Sequence, residues 1–439
     1  MALAAGACGD TAPTGPLARP DDAPPSLLTL ISTAAATSGP NALDHTNGNK
    51  AVTGPGGVMH VVYAEGGSIK YTRSSNALSW SPPVVIATGA ASQPTIAVTS
   101  TGLVGVAYQR LVSGFYRVYY THRPDGGAWQ PAVQIADHID GYPFRPAPSL
   151  VQFRGEMHLA FSTGSYVRYF RFPPALTTPP AFSDVEIANI ILLCGDPYYV
   201  GSPSIAVAAR GPGSTDPLVR VAFFWITYGG SCSDFGAGLT VLERPEHNPA
   251  GMPWDPPVWT FHEFAPPPTG TEGVSLSMAA NPETGSFYLA FSKLVGGVGE
   301  TRLAHMNAWT GTSAQAVLLP REAQVHVAAT GCGFRLALAD YTLGTGGYGP
   351  TWHRTGRWKA AGLAWDGPEA PVSALGRSPQ AIAWERFGGG PKGNRLTSVH
   401  AFFDESAASG YAVAHDRETV LLRQLPPVEV CSSPITPAS

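Results

Sequence analysis

The chain has 439 residues and a formal net charge of −4, and only 13% of its residues are charged, about half the usual share. This balance, with no long basic run, argues against nucleic acid or an anionic membrane surface as the main partner. An apolar content of 44% excludes a disordered chain, and the 50 glycines and 42 prolines favour short strands joined by tight turns. No apolar run approaches the roughly eighteen residues that a spanning helix needs.

The chain begins with MALAAGACGD, in which small residues precede Cys8, and a Pro-rich stretch follows at 9–25. This pattern resembles the end of a bacterial lipoprotein signal, where the cysteine is lipidated and becomes the new N-terminus. The resemblance implies that 1–8 is the remnant of a signal and that 9–25 is a tether. The protein would then be extracytoplasmic, either secreted or lipid-anchored at the bacterial cell surface or in the periplasm, with a membrane contact only through Cys8.

A short apolar motif recurs seven times along the chain. In order, its copies are VMHVVYAE, LVGVAYQR, EMHLAFST, LVRVAFFW, SFYLAFSK, GFRLALAD and SVHAFFDE. The position of His60 in the first copy is taken in the others by Gly105, His158, Arg220, Tyr288, Arg335 and His400. No metal-binding or catalytic role tolerates Gly, Arg and Tyr as equivalents. The three histidines are therefore predicted to be structural, at an outward or half-exposed position of a strand.

Each copy of the motif stands second in a run of four short strands. PSLVQF precedes EMHLAFST, for example, and YVRYFRF follows it. Four strands in each unit of about 45 to 70 residues, repeated seven times, predict a seven-bladed β-propeller of four-stranded antiparallel blades. The predicted blades are 48–88, 89–137, 138–189, 190–265, 266–319, 320–375 and 376–425, within a single propeller at 26–431 that a disordered tail follows at 432–439. The strand-like SLLTLIS at 26–32 is predicted to pair beside the last blade and to lock the ring.

A second motif falls at the turn between third and fourth strands. It occurs as Trp80-Ser-Pro-Pro-Val, Trp129-Gln-Pro-Ala-Val and Trp254-Asp-Pro-Pro-Val. The preceding RSSNALSW and RPDGGAW resemble the Asp boxes of sialidase-type propellers, Ser-x-Asp-x-Gly-x-x-Trp, with Asn76 in place of Asp in the first and Asp125 and Gly126 kept in the second. The resemblance covers two turns and the strand rhythm, and it implies a β-propeller of the sialidase/BNR superfamily. Its carboxylate would tie the turn's backbone N–H groups, and its Trp would pack between sheets. Because sialidases are typically six-bladed, six blades are the alternative.

In a propeller, the loops that enter first strands and those that leave second strands share one face, which we call the funnel face. Polar residues are concentrated at these predicted positions in a chain that is otherwise poor in charge. Ahead of first strands lie His45, Lys50, Gln93, Tyr142, Arg145, Asp196, Tyr199, Glu272, Arg321 and Arg377, and after second strands lie Glu65, Arg110, Lys293, Asp340 and Glu405. Of these, the predicted ligand-binding residues are Arg145, Arg321, Arg377, Tyr142, Arg110, Glu65 and Glu405.

The segment PFRPAPSL resembles the Phe-Arg-Ile-Pro segment of sialidases, which would make Arg145 the leading ligand of a substrate carboxylate. The same resemblance implies a triad completed by Arg321 and Arg377. It also implies a Tyr–Glu nucleophile pair and an Asp acid/base, roles for which Tyr199, Glu272 and Asp340 are the candidates. The alternative is that the three arginines are ordinary loop residues that donate to backbone carbonyls.

Three functions remain open from the sequence. The first is an exported sialidase-like propeller that recognises a glycan, in particular an anionic one, or another polar polymer through the funnel face. The second is an active glycoside hydrolase of sialidase type or a polysaccharide lyase, in which His45 or Tyr199 would remove a proton beside a uronate carboxylate that Arg145 neutralises. The third is a non-catalytic surface scaffold for protein partners.

No cofactor is predicted, and no metal site, because the 12 histidines are scattered without His-x-x-x-His or Cys-x-x-Cys spacing. The glycine run FGGGPKGN is predicted to be a hairpin turn. Four cysteines remain beside Cys8, an even number that predicts disulfides in an exported protein and buried thiols in a cytosolic one. The predicted bridges are Cys194–Cys232, within one blade on the funnel face, and Cys332–Cys431, which requires the tail to return along the ring.

Overall fold

A computed structural model gives the structure of the protein, and the residues that it describes are called the described residues. They are 29–30, 47–75, 79–139, 147–163, 167–180, 186–188, 198–211, 214, 217–227, 237–245, 260–265, 275–281, 285–295, 298–307, 313–319, 323–330, 333–340, 351–359, 362–365, 370–373, 376–377, 382–387, 396–407 and 410–421. Apart from a single 3₁₀ turn at Pro55–Gly57, every regular element among them is a β-strand. The predicted all-β class is confirmed.

The first half of the chain supplies three sheets and one strand that joins sheet 7. That strand is β1 (Thr29–Leu30). Sheet 1 contains β2 (Ala51–Thr53), β3 (Met59–Glu65), β4 (Ser68–Ser74) and β5 (Val84–Ala87). Sheet 2 contains β6 (Ala91–Val98), β7 (Val104–Val112), β8 (Phe115–Arg123) and β9 (Val133–Ile139). Sheet 3 contains β10 (Ser149–Phe153), β11 (Glu156–Ser162), β12 (Val167–Phe172) and β13 (Glu186–Ala188).

The second half supplies four further sheets. Sheet 4 contains β14 (Tyr198–Val200), β15 (Ser204–Ala209), β16 (Pro217–Thr227), β17 (Ala237–Pro245) and β18 (Thr260–Ala265). Sheet 5 contains β19 (Leu276–Asn281), β20 (Ser286–Val295), β21 (Val298–Asn307) and β22 (Ser313–Leu319). Sheet 6 contains β23 (Ala323–Thr330), β24 (Gly333–Asp340), β25 (Thr351–Lys359), β26 (Gly362–Trp365) and β27 (Ala370–Ser373). Sheet 7 contains β28 (Gly376–Arg377), β29 (Ile382–Phe387), β30 (Leu396–Ala407) and β31 (Gly410–Leu421), with β1 added at its edge.

The inner strands of the sheets contact one another in a closed cycle. Each pairs antiparallel with the strand that carries the recurring motif, as β10 does with β11. In order around the cycle, the inner strands are β2, β6, β10, β15, β19, β23 and β29, and β29 returns to β2. Sheets that are arranged radially around a shared centre are consistent with a β-propeller.

The core lies between successive sheets. At the boundary of sheets 1 and 2, Val62 and Ile69 pack against Val106 and Tyr108. Similar apolar clusters fill the boundaries of sheets 2 and 3, 3 and 4, 4 and 5, and 5 and 6. Because each large apolar side chain that is buried in this way contributes about 1.5–3 kcal/mol, neighbouring sheets stabilise one another.

Hydroxyl groups join the inner strands of neighbouring sheets. The hydroxyls of Thr95, Ser149, Ser204 and Ser277 accept hydrogen bonds from the backbone N–H groups of Leu150 (3.2 Å), Ile205 (3.2 Å), Met278 (2.8 Å) and Val327 (3.1 Å), respectively. All four lie opposite an alanine of the second strand, namely Ala107, Ala160, Ala222 and Ala290. The small alanine and the short hydroxyl allow close approach of neighbouring inner strands, and the alternating Ser or Thr of the first strands therefore has a structural role.

The segment Asn47–Lys50 crosses the inner ends of four sheets. The Asn47 side chain donates to the carbonyls of Ala147 (2.6 Å) and Pro203 (2.8 Å), which precede the inner strands of sheets 3 and 4. The carbonyl of Asn49 accepts from Ile96 N–H of sheet 2 at 2.8 Å, and that of Lys50 accepts from Val62 N–H of sheet 1 at 2.8 Å. The chain's own atoms therefore occupy the centre of the ring at this level.

The N-terminal strand closes the ring. In β1, Thr29 pairs with His415 and Leu30 with Ala414, so that β1 lies beside β31 at the edge of sheet 7. The prediction that the 26–32 segment pairs beside the last blade is confirmed for Thr29 and Leu30, and the rest of that segment lies outside the described residues. Sheet 7 thus contains both the first and the last described strand. Backbone pairing between these two strands joins them without a covalent bond.

The position that His60 occupies in the recurring motif is buried, so the prediction of an outward or half-exposed position is wrong. His60 is 4% exposed, His158 is 0% exposed and Arg220 is 6% exposed. The Nδ1 atoms of His60 and His158 lie 2.7 Å from the hydroxyls of Tyr71 and Tyr169, respectively, within hydrogen-bond distance. At His60, His158 and Arg220, the third strand supplies a different partner for each residue, and the position tolerates these residue types for that reason and not because it faces solvent.

The residue type at this buried position depends on the space and the partner that the third strand provides. At Gly105, a Cβ atom would lie 2.5 Å from the hydroxyl of Tyr120, because the tyrosine already fills the volume that a side chain would need. At Arg220, the third strand supplies Glu243, whose carboxylate accepts from Arg220 Nε at 2.7 Å. The structural interpretation of His60 and His158 is confirmed, whereas for His400 the structure gives the backbone position alone.

Two of the Trp-x-Pro turns are held by the same pair of hydrogen bonds. In sheet 1, Thr72 Oγ1 donates to the Ser81 carbonyl at 2.7 Å and Ser81 N–H donates to the Arg73 carbonyl at 2.9 Å. In sheet 2, Thr121 Oγ1 donates to the Gln130 carbonyl at 2.7 Å and Gln130 N–H donates to the His122 carbonyl at 2.9 Å. The repeated motif therefore has a repeated local structure. The corresponding Trp254 and Asn76 lie outside the described residues.

The predicted role of Asp125 in its turn is wrong, but that of Trp129 is confirmed. The Asp125 side chain is 71% exposed and contacts Arg73 at 3.9 Å, and it accepts no hydrogen bond from the backbone of the turn within the described chain. Arg123 ties the turn instead, because its Nε donates to the Gly127 carbonyl at 2.7 Å. Trp129 packs edge-on against Tyr71 of sheet 1, with 5.1 Å between ring centroids.

Candidate functional site

One face of the ring carries both the loops that enter first strands and the hairpins that follow second strands. Ala91 N–H, at the start of the inner strand of sheet 2, donates to the carbonyl of Gly67 in the hairpin of sheet 1 at 2.9 Å. Leu111 N–H, near the end of the second strand of sheet 2, donates to the carbonyl of Ala90 at 3.3 Å. The sequence-based placement of these segments on a common funnel face therefore agrees with the backbone contacts of sheets 1 and 2.

Most of the predicted site residues lie beyond what the structure describes in full. Outside the described residues are Cys8, His45, Tyr142, Arg145, Cys194, Asp196, Cys232, Glu272, Arg321, Cys332 and Cys431. For Tyr199, Lys293, Asp340, Arg377 and Glu405, the structure gives the backbone position in a strand. The proposed arginine triad, the catalytic roles and both disulfides remain predictions.

The backbone register places several of these positions at the same end of their sheets. Asp340 lies opposite Ala323, at the start of the inner strand of sheet 6. The backbone of Arg377 pairs with that of Asp404, next to Glu405, in sheet 7. Arg110 likewise lies opposite Ala91 at the start of the inner strand of sheet 2. These positions therefore share the end of the sheet that defines the funnel face.

Two predicted polar residues at this end are buried beneath the surface. Lys50 is 1% exposed and belongs to the segment that crosses the ring centre. Gln93 is 3% exposed and has a φ of +49°. It lies two residues before Thr95, whose hydroxyl accepts a hydrogen bond from the inner strand of sheet 3. Both positions belong to the inner layer of the ring and not to a surface that a large ligand could contact.

Glu65, a predicted ligand-binding residue, is neutralised within its own hairpin. Its side chain is 6% exposed, and its carboxylate forms an ion pair with the ammonium of Lys70. A carboxylate that is buried and paired in this way stabilises the hairpin, and binding a ligand through it would require the pair to open.

Arg110 has a different environment from the other described site residues. Its side chain is half-buried, and its guanidinium lies over the ring of Tyr119 with 5.5 Å between Cζ and the ring centroid. Tyr119 in turn stacks on Tyr108 with an interplanar angle of 15°. No carboxylate among the described residues pairs with Arg110. The arrangement presents a partly exposed cation on an aromatic platform.

Three further residues of this cluster were missed by the sequence analysis. Arg117 Nη1 donates to Gln134 Oε1 at 3.1 Å, and the Tyr119 hydroxyl donates to the same oxygen at 3.2 Å. Arg117 lies directly opposite Arg110 in the antiparallel pair of β7 and β8. We call Arg110, Arg117, Tyr119 and Gln134 the arginine cluster. The RLVSGFYR hairpin was the available signal, because a two-residue turn at Ser-Gly fixes this register.

Tyr108 of this platform is uncharged at physiological pH. Burial raises the pKa of Tyr108 to about 12, against an opposing effect of the positive charge of Arg110. Arg110 therefore presents a positive charge beside hydroxyl groups that donate or accept hydrogen bonds. Such a surface suits an anionic group that is attached to a polar ring, and it carries no described nucleophile or acid/base pair.

The described residues provide no metal-binding or membrane-spanning element. No group of three or more His, Cys, Asp or Glu side chains in the described part of the chain is placed to hold a metal ion. No helix in that part is long and apolar enough to cross a bilayer.

No protein-family model matches the chain, and no curated protein sequence matches it. Among solved structures, the chain is similar to the phage phi92 endosialidase, at 12% identity with a TM-score of 0.43 over 94% of this chain and 72% of that one. It is similar to a K499G mutant of the NanB sialidase from Streptococcus pneumoniae, at 10% identity with a TM-score of 0.41 over 89% and 70%. It is also similar to the polysaccharide lyase Uly1, at 10% identity with a TM-score of 0.44 over 88% and 91%. All three resemblances are distant.

Proposed function

We propose that this protein is an exported seven-bladed β-propeller that recognises anionic carbohydrate on its funnel face. The closed cycle of inner strands from β2 to β29 supports the blade count. The pattern around Cys8 supports export. The observation that carries the functional proposal is Arg110, a half-buried cation that lies over Tyr119 without a carboxylate partner among the described residues.

The chemistry of this group fits an acidic sugar. The guanidinium offers a planar fork of N–H donors that matches the two oxygens of a carboxylate, and its stacking on an aromatic ring reduces the loss of conformational freedom on binding. Aromatic side chains with polar hydroxyls bind both the apolar face and the hydroxyl groups of a sugar ring. An arginine held for a purely structural purpose would be expected to bond a carboxylate or carbonyl of the protein.

A glycan array that is probed with the purified full chain tests the proposal. We expect binding to acidic glycans over neutral ones, and a loss of that binding in Arg110→Ala. The matched control is Arg171→Ala, which removes the same charge from an exposed ion pair with Glu156 (3.4 Å). No binding to any acidic glycan by the wild-type chain would overturn the proposal and would favour a scaffold for protein partners.

Fluorogenic sialosides and unsaturated-product assays on uronate polymers test whether recognition leads to chemistry. Turnover that is lost in Glu272→Gln or in Asp340→Asn would make the protein a glycoside hydrolase, with those residues in the roles that the sialidase resemblance implies. A new ultraviolet-absorbing double bond at a uronate would make it a lyase. Acidic-glycan binding with neither product would make it a binding module, which is the function proposed.

A further inference from the structure

A second half-buried arginine lies near the funnel face, one sheet boundary away from Arg110. Arg168 is the second residue of β12 and lies opposite Phe161, close to the end of β11. Phe161 belongs to the apolar cluster between sheets 2 and 3, and it stacks on Phe170, which lies two residues beyond Arg168 in the same strand. Because alternate residues of a strand share one face, Arg168 lies on the side of sheet 3 that faces sheet 2.

The Arg168 side chain has no partner within the described chain. Its Nε is shielded from solvent without a hydrogen-bond acceptor, and no carboxylate of the described residues forms an ion pair with its guanidinium. Arg171, three residues further along β12, shows the ordinary arrangement, because its guanidinium pairs with the carboxylate of Glu156 at 3.4 Å. Arg168 therefore keeps donor groups that the fold does not use, on a side chain that is partly exposed.

The facing side of sheet 2 adds an aromatic hydroxyl and an exposed apolar group. Tyr116 packs against the same apolar cluster, and its hydroxyl forms no hydrogen bond within the described chain. Leu111 lies directly opposite Tyr116 and is 41% exposed. Gln109, on the same face two residues earlier, has a buried Oε1 without a donor. We call Arg168, Tyr116 and Leu111 the Arg168 site, a place where the core gives way to groups that the protein leaves unpaired or uncovered.

Both sides of the Arg168 site lie at the funnel-face end of their sheets. In sheet 3, Phe161 and Arg168 lie beyond the start of β10, which begins opposite Ala160. In sheet 2, Leu111 lies beyond the start of β6, which begins opposite Arg110. The site is thus on the face to which the proposed function assigns glycan binding.

The β7–β8 hairpin separates the Arg168 site from Arg110. Arg110 and Tyr119 lie on the side of sheet 2 that faces sheet 1, whereas Leu111 and Tyr116 lie on the side that faces sheet 3. The tip of the hairpin, 113–114, is an exposed Ser-Gly pair without a bulky side chain. Since neighbouring sheets pack roughly 10 Å apart, an extended oligosaccharide that crosses this tip is long enough to contact both arginines.

We propose that the Arg168 site is a second acid-binding subsite, and that it and Arg110 bind acidic groups at two positions of one polysaccharide chain. The ligand class is a linear polymer that repeats a carboxylate or a sulfate ester along its length, and not a glycan with one terminal acidic sugar. The guanidinium of Arg168 donates to the acidic group, while Tyr116 and Leu111 contact the hydroxyls and the apolar face of the sugar ring. This inference rests on the proposed function and names the substrate class.

Calorimetric titration of the purified full chain with oligosaccharides of equal length tests the inference. The repeated acid carries the acidic group at every residue, the single acid carries it at one end, and the neutral oligosaccharide carries none. The series is made once with uronate carboxylates and once with sulfate esters, and the tighter repeated acid identifies the group. We expect the wild-type chain to bind that repeated acid at least about tenfold more tightly than the corresponding single acid, because two subsites act on one ligand.

Variants at the two arginines separate the subsites. Arg110→Gln and Arg168→Gln should each weaken binding of the repeated acid by roughly tenfold, and the double variant should weaken it by roughly a hundredfold. The single acid should be affected less by either variant alone, because it still binds at the other arginine. Arg171→Gln removes the same charge from β12 and is the control that should change neither affinity. If Arg168→Gln does not fold, Arg168→Lys keeps the charge without the planar fork and should still weaken binding of the repeated acid.

The outcomes distinguish this inference from the broader function. Unchanged binding of the repeated acid in Arg168→Gln, with weaker binding in Arg110→Gln, would overturn the second subsite and leave the proposed function standing. Equal affinity of the wild-type chain for the repeated and the single acid would also overturn it, since one subsite would then account for binding. A loss confined to Arg145→Gln would do the same and would move the acid-binding site to the sequence-based triad. Failure of the wild-type chain to bind any acidic oligosaccharide would overturn both proposals.

Discussion

Two arginines of this ring lie over aromatic rings, but in opposite circumstances. Arg220, at the boundary of sheets 4 and 5, lies 4.4 Å from the centroid of Phe287, is 6% exposed, and donates to Glu243 at 2.7 Å. Arg110, at the boundary of sheets 1 and 2, lies 5.5 Å from the centroid of Tyr119, is half-buried, and has no carboxylate partner in the described chain. The aromatic contact is common to both, so it does not distinguish a structural arginine from a binding one.

The distinction lies in burial together with the partner. Burial lowers the pKa of Arg220, and the charge and hydrogen bond of Glu243 oppose that effect, so the buried guanidinium depends on the partly exposed carboxylate. A buried charge of this kind cannot lose its partner without a large penalty. At Arg110, solvent already shares the role of the partner, and an incoming anion can take it over. Four predictions follow from this difference, and each would weaken or sharpen it.

The largest expected effect is at the structural arginine. Glu243→Ala should lower the free energy of unfolding by about 3–5 kcal/mol, because it leaves the Arg220 guanidinium buried without its carboxylate. Denaturant unfolding followed by fluorescence measures this change. The double variant Arg220→Met/Glu243→Ala is the control and should recover most of the loss. A loss below about 1 kcal/mol in Glu243→Ala would mean that Arg220 resembles Arg110 more closely than its burial suggests.

Acid should destabilise the boundaries between sheets through their buried histidines. Burial, aided by the charges of Arg73 and Arg123, lowers the pKa of His60 to about 4, and burial with the charge of Arg220 lowers that of His305 to about 4. The unfolded chain has a histidine pKa of about 6.5, so between these values it binds more protons than the folded chain. Stability is therefore full above about pH 6.5 and falls as the pH drops toward 4.

Between pH 7 and pH 5, the loss should be about 2 kcal/mol for each of these histidines. Denaturant unfolding at both pH values measures their sum together with the contributions of His158 and His326, whose pKa values burial lowers to about 3, and NMR titration of the imidazole signals measures each pKa separately. Arg220→Met should raise the pKa of His305 and leave that of His60 unchanged, which tests whether the two boundaries are electrostatically separate. Histidine pKa values near 6.5 in the folded chain would contradict the prediction.

A smaller effect is expected inside the boundary that carries Arg110. Tyr71→Phe removes the hydroxyl that lies 2.7 Å from His60 Nδ1 and should cost about 1 kcal/mol of stability, because a buried imidazole nitrogen loses its partner. Glycan binding should be unchanged, since Tyr71 packs against Trp129 and lies toward the Trp-x-Pro turn. Weakened binding at unchanged stability would mean that this boundary does not divide into a structural end and a binding end.

The fold was largely accessible from periodic features of the sequence. The recurring motif occupies second strands such as β11, and the SLLTLIS segment contributes β1 beside β31. Such predictions succeed because every unit has the same two requirements. Its strands alternate between two faces, and its apolar face must pack against a neighbouring sheet. The burial of the motif was missed for a related reason, because variation at His60, Gly105 and Arg220 resembled surface tolerance. In sheets 1 to 4, the third strand supplies the residue that compensates for each change, and a single aligned motif does not contain that partner.

The arginine cluster could be predicted only in part. The position of Arg110 at the end of a second strand predicts that it lies on the funnel face. Arg117, Tyr119 and Gln134 belong to the third and fourth strands, and their positions in the sequence carry no such signal. The Ser-Gly turn at 113–114 sets the register of the hairpin. The sequence therefore predicts that Arg110 and Arg117, two residues of like charge, lie directly opposite each other. Their orientation toward sheet 1 depends on tertiary packing and cannot be obtained from local pattern.

The smallest expected effect on stability is at Arg110 itself. Arg110→Ala should change the free energy of unfolding by no more than about 0.5 kcal/mol, because the side chain is half-buried and has no ion pair to lose within the described chain. The same substitution should weaken acidic-glycan binding by roughly tenfold. Arg110→Ala should therefore affect binding more than stability, whereas Glu243→Ala should mainly lower stability. Denaturant unfolding and calorimetric titration of the two variants side by side measure both quantities. If Arg110→Ala destabilised the chain as much as Glu243→Ala, the arginine would be a structural element of the sheet boundary, and the site for the acidic group would have to lie elsewhere on the funnel face.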